Sequence, residues 1–327
     1  MTHDASPRPA PPAGPQPEPR SDAPLRRIAV GFGGDERSRD AVRLGAALAR
    51  AAGARLDIVL IVTQDDPFTA VYPPVGSISG IVADQGAAWL REAEEMVPAD
   101  VDLTALVRRG ASVAEGLIAA AEERGADLLV TGSGVGAGRI TAHPAVEALV
   151  HSSPIPLALA PAGYTGTDGV TDVFAAVSGT SGRHQVVDAA TDWADQLDAE
   201  LVHVTLRAGE SAPHPDAGAE TGADTGTEAD AAEQTPRAVV AVGRTLAQAV
   251  RRVDWPQGAL LLMGSSRLAG RRRLFLGTVA ARILSRLPIP MIVMPRHEHE
   301  TDQTLETDHT AHAPGDAVTA PPAGTAR

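Results

Sequence analysis

The chain has 327 residues and a net charge of −13, which argues against a general nucleic-acid-binding protein because phosphate backbones require clustered positive charge. It contains no cysteine, which excludes disulfides and cysteine-ligated metal sites. No apolar run approaches the roughly 20 residues that span a bilayer, and the N-terminus lacks the apolar region of a secretory signal, so we expect a cytoplasmic protein with no membrane partner.

Both ends of the chain have compositions typical of disordered tails. Residues 1–24 are rich in Pro and Ala, and residues 297–327 are polar without hydrophobic periodicity. The histidines of the second tail match no rigid ligand spacing, so we predict no metal site there. No Ser/His/Asp set has local support for nucleophilic catalysis either, so no catalytic residue is predicted.

Strands and helices alternate between the tails, which predicts a parallel sheet with right-handed crossovers. In the first half, Ser38 is predicted to cap the first helix and Gly53 to end it. The predicted strands span 27–32, 56–62, 103–107, 127–131 and 157–160, and the later helices span 84–96, 114–123 and 145–151.

The same pattern then returns, which indicates a tandem duplication. Residues 127–133 (DLLVTGS) match residues 259–265 (ALLLMGS), and Pro-Ile-Pro occurs at both 154–156 and 288–290. The predicted strands of the second half span 172–177, 200–206, 237–242, 259–263 and 290–294, and its first two helices span 185–197 and 245–253.

These boundaries give a first domain at 25–162, a linker at 163–171 and a second domain at 172–296. The second domain differs from the first at residues 209–236, which are acidic and almost free of bulky apolar residues. Such a segment cannot bury enough apolar surface to order firmly, so we predict a flexible insertion in place of a crossover helix.

A loop rich in glycine and arginine follows the strand that ends at Gly264. It leads to a helix predicted to open at Gly277-Thr278, with Val279, Ile283 and Leu287 on its inner face. Backbone N–H groups in this arrangement can hold phosphate. The other interpretation, which the residues alone leave open, is an ordinary turn followed by a helix cap.

This strand–Gly-Ser loop–Gly-Thr–helix–Pro-Ile-Pro–strand sequence resembles the universal stress protein family, and the resemblance covers both halves. It implies two doubly wound domains, each with five parallel strands in the order 3-2-1-4-5 and flanking helices. It also implies ATP as the usual ligand, with Mg²⁺ as a companion ion. In the family the closing strands pair across a dimer-like interface, so we expect strands 157–160 and 291–294 to join the halves as a pseudo-dimer. A homodimer of the whole chain is compatible with the same resemblance.

In the second half the family's nucleotide-binding motif is matched in part. Arg267 replaces the middle glycine, where it would either clash with the phosphates or pair with them, and Ser178 replaces an Asp that contacts adenine. The nucleotide-binding residues implied by the resemblance are Gly264, Ser265, Arg267, Gly270, Gly277, Thr278 and Ser178.

The first half departs further from the motif. Gly33 stands at the adenine-contacting position, Gly132 and Ser133 open the loop, and His143-Pro144 replaces Gly-Thr. Pro144 removes an N–H that a phosphate would use. We therefore expect a degenerate site in this half, which would serve as a structural partner to the second.

Three functions follow from these observations. The first is a stress-response protein that binds an adenine nucleotide in its second half. The second is a nucleotide-free module that regulates a protein partner by contact. The third, a weak ATPase, has the least support because no residue is placed as a base or metal ligand. Whether a nucleotide tolerates Arg267 and Ser178 separates the first two.

Overall fold

The computed structural model describes residues 25–63, 78–135, 143–166, 169–177, 183–209, 236–265 and 274–295. The tails predicted to be disordered, 1–24 and 297–327, lie outside the described residues, and so do residues 210–235 of the predicted insertion. Arg267, Gly270 and Ser178 also lie outside them.

The first half consists of alternating strands and helices, as predicted. Its strands are β1 (Arg27–Phe32), β2 (Arg55–Thr63), β3 (Leu103–Gly110), β4 (Leu128–Gly132) and β5 (Leu157–Ala160). Its helices are α1 (Glu36–Ala52), α2 (Ile78–Glu95), α3 (Val113–Arg124) and α4 (Pro144–Ser152).

The second half repeats the pattern without a described counterpart of α2. Its strands are β6 (Asp172–Ala176), β7 (Glu200–Ala208), β8 (Arg237–Gly243), β9 (Ala259–Gly264) and β10 (Met291–Met294). Its helices are α5 (Arg183–Leu197), α6 (Leu246–Arg252) and α7 (Thr278–Leu284).

The described strands form one ten-stranded sheet in the order β3-β2-β1-β4-β5-β10-β9-β6-β7-β8. Each half therefore has the predicted order 3-2-1-4-5, and its strands are parallel. The closing strands β5 and β10 pair antiparallel, with Ile292 opposite Ala158. This confirms the prediction that the two halves join through these strands within one chain.

Helices cover both faces of the sheet. One core cluster lies under α1, α2 and α5, and the other lies under α3, α4, α6 and α7. Every residue of β5 and β10 is buried, as expected for strands covered on both faces.

Three predicted helix features are wrong in detail. Asp35, not Ser38, caps α1: the Asp35 carboxylate accepts from the Ser38 N–H, and the Ser38 hydroxyl accepts from the Asp35 N–H. Helix α2 begins at Ile78 rather than residue 84, so the glycine within its first turn does not prevent the helix from forming. Val279 is 53% exposed, since α7 turns Ala280, Ile283 and Leu284 inward instead.

Side-chain hydrogen bonds add to the contact between the halves. The Gln196 carboxamide of α5 accepts from the Leu25 N–H at 2.7 Å and donates to the Leu25 carbonyl at 2.9 Å. In the first half, buried Asp40 accepts from the N–H of Gly163 at 2.9 Å, which fixes the start of the linker. Burial raises the pKa of Asp40, and the Gly163 N–H and Arg43 only partly offset this effect.

An ion triad joins β1, β2 and α3 in the first half. Asp57, whose side chain is 1% exposed, accepts from the Arg124 guanidinium at 3.0 Å through two nitrogens and from Arg27 Nη1 at 3.0 Å. Burial alone would raise the pKa of Asp57, but the hydrogen bonds from Arg124 and Arg27 outweigh it and hold the pKa below its usual value.

We expect Ile292→Asp to separate or unfold the halves. Ile292 is fully buried at the β5–β10 junction, so an unpaired carboxylate there should lower the free energy of unfolding by about 4 kcal/mol or more. Thermal unfolding and size-exclusion chromatography measure the effect. Val279→Asp, at an exposed position of the same half, is the control and should change stability by less than about 0.5 kcal/mol. Equal behaviour of the two variants would contradict the role of the junction.

We expect Asp57→Ala to lower the free energy of unfolding at pH 7 by about 2–4 kcal/mol, because it leaves two partly buried guanidinium groups unpaired. The pKa of Asp57 is lowered on folding, so its contribution is fully present above the unfolded pKa of about 3.9 and is lost as the pH falls through the folded pKa.

Urea unfolding as a function of pH tests this prediction. The difference in stability between wild type and Asp57→Ala should narrow as the pH falls below about 4. Asp102→Ala removes an ion pair to Arg55 whose side chains are both 63% exposed, and should have almost no effect. An Asp57→Ala variant as stable as Asp102→Ala would rule the triad out as a stabilising feature.

Candidate functional site

A cleft of about 300 Å³ opens at the carboxyl edge of the sheet in the first half. It lies among the ends of β1, β2 and β4 and the first turns of α1, α3 and α4, which is where ligands bind in open parallel sheets. Its apolar walls come from Phe32, Val59, Ile61, Leu117, Val146 and Leu149.

The first turn of α1 forms a closed polar network at one side of this cleft. The Asp35 carboxylate accepts from the Ser38 N–H at 2.9 Å and from Arg37 Nε at 3.0 Å, and a second Arg37 nitrogen, Nη2, also donates to it. Burial raises the pKa of Asp35, but the Ser38 N–H and the Arg37 guanidinium outweigh burial, so the pKa lies below its usual value. Asp35 is therefore ionised at neutral pH and already paired.

Gly132, the first glycine of the loop in this half, has a structural role. A Cβ at this position would lie 1.9 Å from the carbonyl oxygen of Arg37, far inside any allowed contact. Only glycine lets α1 approach the end of β4 so closely. Ser133 is also structural, because its fully buried hydroxyl donates to the Ala160 carbonyl at 2.9 Å and accepts from the Val135 N–H at 3.1 Å.

The other two positions of the predicted degenerate site lie at the mouth of the cleft. Gly33 is exposed, and a Cβ there would meet no heavy atom within 4 Å. His143 is the N-cap of α4, and its Nδ1 accepts from the Ala145 N–H at 3.2 Å. The imidazole thus occupies a position that an anion would take at this helix N-terminus, and Pro144 has no N–H to offer.

The corresponding positions of the second half have fewer close neighbours among the described residues. A Cβ on Gly264, at the end of β9, would find its nearest neighbour in Val186 Cγ2 at 3.1 Å, a side-chain methyl group rather than backbone. Gly277 is the N-cap of α7 and receives no side-chain cap hydrogen bond, and Thr278 is the first residue of the helix.

Residues 274–276, which we call the strap, connect the second site to the first half. The Leu274 N–H donates to the Ser153 carbonyl at 3.0 Å, and the Leu276 N–H donates to the Val150 carbonyl at 3.2 Å. These carbonyls lie at the C-terminal end of α4. The Phe275 ring also contacts the His151 ring, with centroids 4.8 Å apart.

Ser265 fastens the strap to the end of β9. Its buried hydroxyl accepts from the Phe275 N–H at 2.7 Å, and its own N–H donates to the Met294 carbonyl at 2.9 Å. Of the residues predicted for the second site, the structure thus links Ser265 and adjacent Gly264 to the strap, which runs directly into Gly277 and Thr278.

Sequence reasoning missed the strap, Asp35, Arg37 and the capping role of His143. The apolar run Leu274-Phe275-Leu276 directly before Gly277 was a usable signal for the strap, because three bulky apolar residues in a loop need a surface to pack against. Within the described residues, no group of three or more His, Asp or Glu side chains could hold a metal ion. None of the helices described is long and apolar enough to cross a membrane.

The paired glycines give a matched test. We expect Gly132→Ala to lower the free energy of unfolding by about 2–4 kcal/mol, because the methyl group would overlap the Arg37 backbone. Gly264→Ala meets a methyl group at 3.1 Å and should cost less than about 1 kcal/mol. Thermal unfolding measures both, and equal losses would contradict the assigned difference between the two positions.

Comparison with known proteins agrees with this architecture. The model of the universal stress protein family matches residues 24–161 and again residues 170–295. Universal stress protein Rv2319c of Mycobacterium tuberculosis and universal stress protein Mb2346c of Mycobacterium bovis are each 28% identical over 290 residues, covering 82% of this chain and 99% of theirs. A crystal structure of a universal stress protein from Archaeoglobus fulgidus superposes with a TM-score of 0.62 at 14% identity, covering 84% of this chain and 99% of that one. The chain belongs to the universal stress protein family and carries two of its domains in tandem.

Proposed function

We propose that this protein acts in a stress response by binding an adenine nucleotide, with ATP as the ligand, in its second half. The observation that carries the proposal is the difference between the two halves. The backbone of Arg37 packs on Gly132 and the ring of His143 caps α4. In the second half, the nearest described neighbour of a Cβ on Gly264 is a methyl group of Val186, and Gly277 receives no side-chain cap. This difference between the described parts of the two halves favours the second half as the place for a phosphate group.

The spacing of the motif supports the same half. Gly264 and Gly277-Thr278 are separated by the number of residues that the family's motif requires. The strap directly precedes Gly277, and its Phe275 N–H donates to the hydroxyl of Ser265, the residue after Gly264. We propose that Arg267 pairs with the phosphates in place of the missing glycine, that Gly270 gives the loop room to approach them, and that Ser178 faces the adenine. Mg²⁺ would accompany ATP, and the proposal is one of binding without a catalytic step.

A nucleotide-free regulator of a protein partner is the second candidate. It is favoured by the two departures in the motif, Arg267 for glycine and Ser178 for aspartate, which remove one close backbone approach and one adenine contact. Under this alternative the glycine positions of the second half are inherited fold geometry. Partners and a homodimer of the whole chain stay predictions.

Calorimetric titration of ATP and AMP into the full chain separates the two candidates. We expect one ATP site per chain, weakened about 100-fold or more, about 2.7 kcal/mol, by Gly277→Glu. Gly277 has φ −65° and ψ 165°, a conformation open to any residue, so the variant should fold while its carboxylate repels the phosphates.

His143→Glu is the matched control, because it places the same charge at the equivalent position of the first half. It should leave ATP affinity unchanged, and thermal unfolding confirms that both variants are folded. Loss of ATP binding in His143→Glu but not in Gly277→Glu would move the site to the first half. Absence of binding to wild type at millimolar ATP would favour the regulator.

A further inference from the structure

We propose that the first-half cleft is a second, chemically different site that binds a small uncharged molecule of the nucleoside class and rejects its phosphorylated form. The exclusion of phosphate is argued from the first half alone. The choice of adenosine as the nucleoside rests on the proposed function of the second half, because the two clefts are built on the same strand ends.

The size and walls of the cleft suit a ring-sized apolar body. Its volume of about 300 Å³ lies at the lower end of the usual range for small-molecule sites. Val59 and Leu149 are fully buried at its base, and Phe32 is 4% exposed. Exposed Gly33 has no atom within 4 Å of its missing Cβ, so a flat ring can lie against the end of β1 without obstruction.

One polar group lies in the cleft without a partner inside the described part of the chain. The hydroxyl of Thr131, half-buried at the end of β4, makes no side-chain hydrogen bond to another described residue, while the backbone of Thr131 pairs with β5. Its hydroxyl can both donate and accept, which suits a hydroxyl or ring nitrogen of a neutral ligand. A ligand bonded to Thr131 would be held between the ends of β1 and β4.

Among the described residues, the end of the cleft at α4 offers few donors to a phosphate group. His143 Nδ1 accepts from the Ala145 N–H at 3.2 Å, and Pro144 has no N–H. Displacing the ring would free the Ala145 N–H, but Pro144 at the first position of α4 would still have no N–H to donate.

Charge in the cleft also disfavours phosphate. The lowered pKa of Asp35 keeps a carboxylate at the rim, and the nearby Arg37 guanidinium is already committed to it through Nε at 3.0 Å and through Nη2. A phosphate would have to break this pair to gain a cation and would then face the freed carboxylate. A neutral nucleoside requires neither change.

The test uses the full chain carrying Gly277→Glu, so that the second half cannot hold phosphate. Titration with adenosine should show one site per chain, and AMP should bind at least about tenfold more weakly, a difference of about 1.4 kcal/mol. Equal affinity for AMP and adenosine, or no adenosine binding at millimolar concentration, would overturn the proposal. ATP binding to the chain without Gly277→Glu is measured separately, so failure of the proposed function is recognised independently.

Two variants assign adenosine to the first half. Ala145→Trp should fill the cleft and abolish binding, whereas Val279→Trp, at the equivalent position of the second half, should leave it unchanged. Loss of adenosine binding in Val279→Trp alone would place adenosine in the second half and overturn the proposal. Thr131→Val keeps the side-chain shape and should weaken the affinity for adenosine about fivefold. This variant tests the proposal even if Ala145→Trp folds poorly.

A gain-of-function variant tests the exclusion of phosphate directly. His143→Gly combined with Pro144→Thr gives the first half the Gly-Thr pair of the second half and frees the N–H groups of α4. AMP affinity should rise about tenfold or more while adenosine affinity stays within about twofold. An unchanged ratio of AMP to adenosine affinity would show that His143-Pro144 is not what rejects phosphate.

Discussion

The antiparallel pairing of β5 with β10 is the constraint on which the arrangement of both sites depends. Each strand would otherwise be the exposed edge of a five-stranded sheet, and exposed edges are normally paired or covered. Pairing them buries all eight residues and fuses the two sheets into one. The strands are parallel within each half, but β5 and β10 run antiparallel to each other. The carboxyl ends of the strands therefore point in opposite directions in the two halves. The two sites therefore cannot share a ligand.

The same fold supports different chemistry in each half because matched positions carry different side chains. The strand registers make Asp57 on β2 equivalent to Val202 on β7. The first half fills this position with a buried ion triad and the second with a fully buried apolar side chain. A buried ion pair and a well-packed apolar contact are often close in free energy, so such an exchange is tolerated after duplication. Under our proposal, the exchange of Gly-Thr for His143-Pro144 at a helix start changes ligand preference on the same fold.

The sequence predicts topology well because topology depends on patterns that persist along many residues. The apolar run after Pro-Ile-Pro predicted the bounds of β5 correctly to the residue. The resemblance to the universal stress protein family implied the order of strands that both halves show. Local side-chain geometry was harder to predict from the sequence. Asp35 and Ser38 are both good caps, and only the observed hydrogen bonds decide between them. The closeness of Arg37 to Gly132 and the contact of the strap with α4 depend on tertiary packing, which no short window of sequence contains.

Helix α4 gives the two sites a physical connection. Its first turn lines the first-half cleft through Ala145 and Val146, and the carbonyls of Val150 and Ser153 hold the strap that leads to Gly277. A ligand that orders the N-terminal turn of α4 would thereby act on a helix whose other end contacts the strap before the loop that we propose binds phosphate. Any such coupling must be reciprocal, so ATP in the second half would change nucleoside affinity in the first by the same factor. A dimer of two identical domains would bind the same ligand twice. Under the two proposals made above, one chain with two diverged domains would instead respond to two different ligands through this helix.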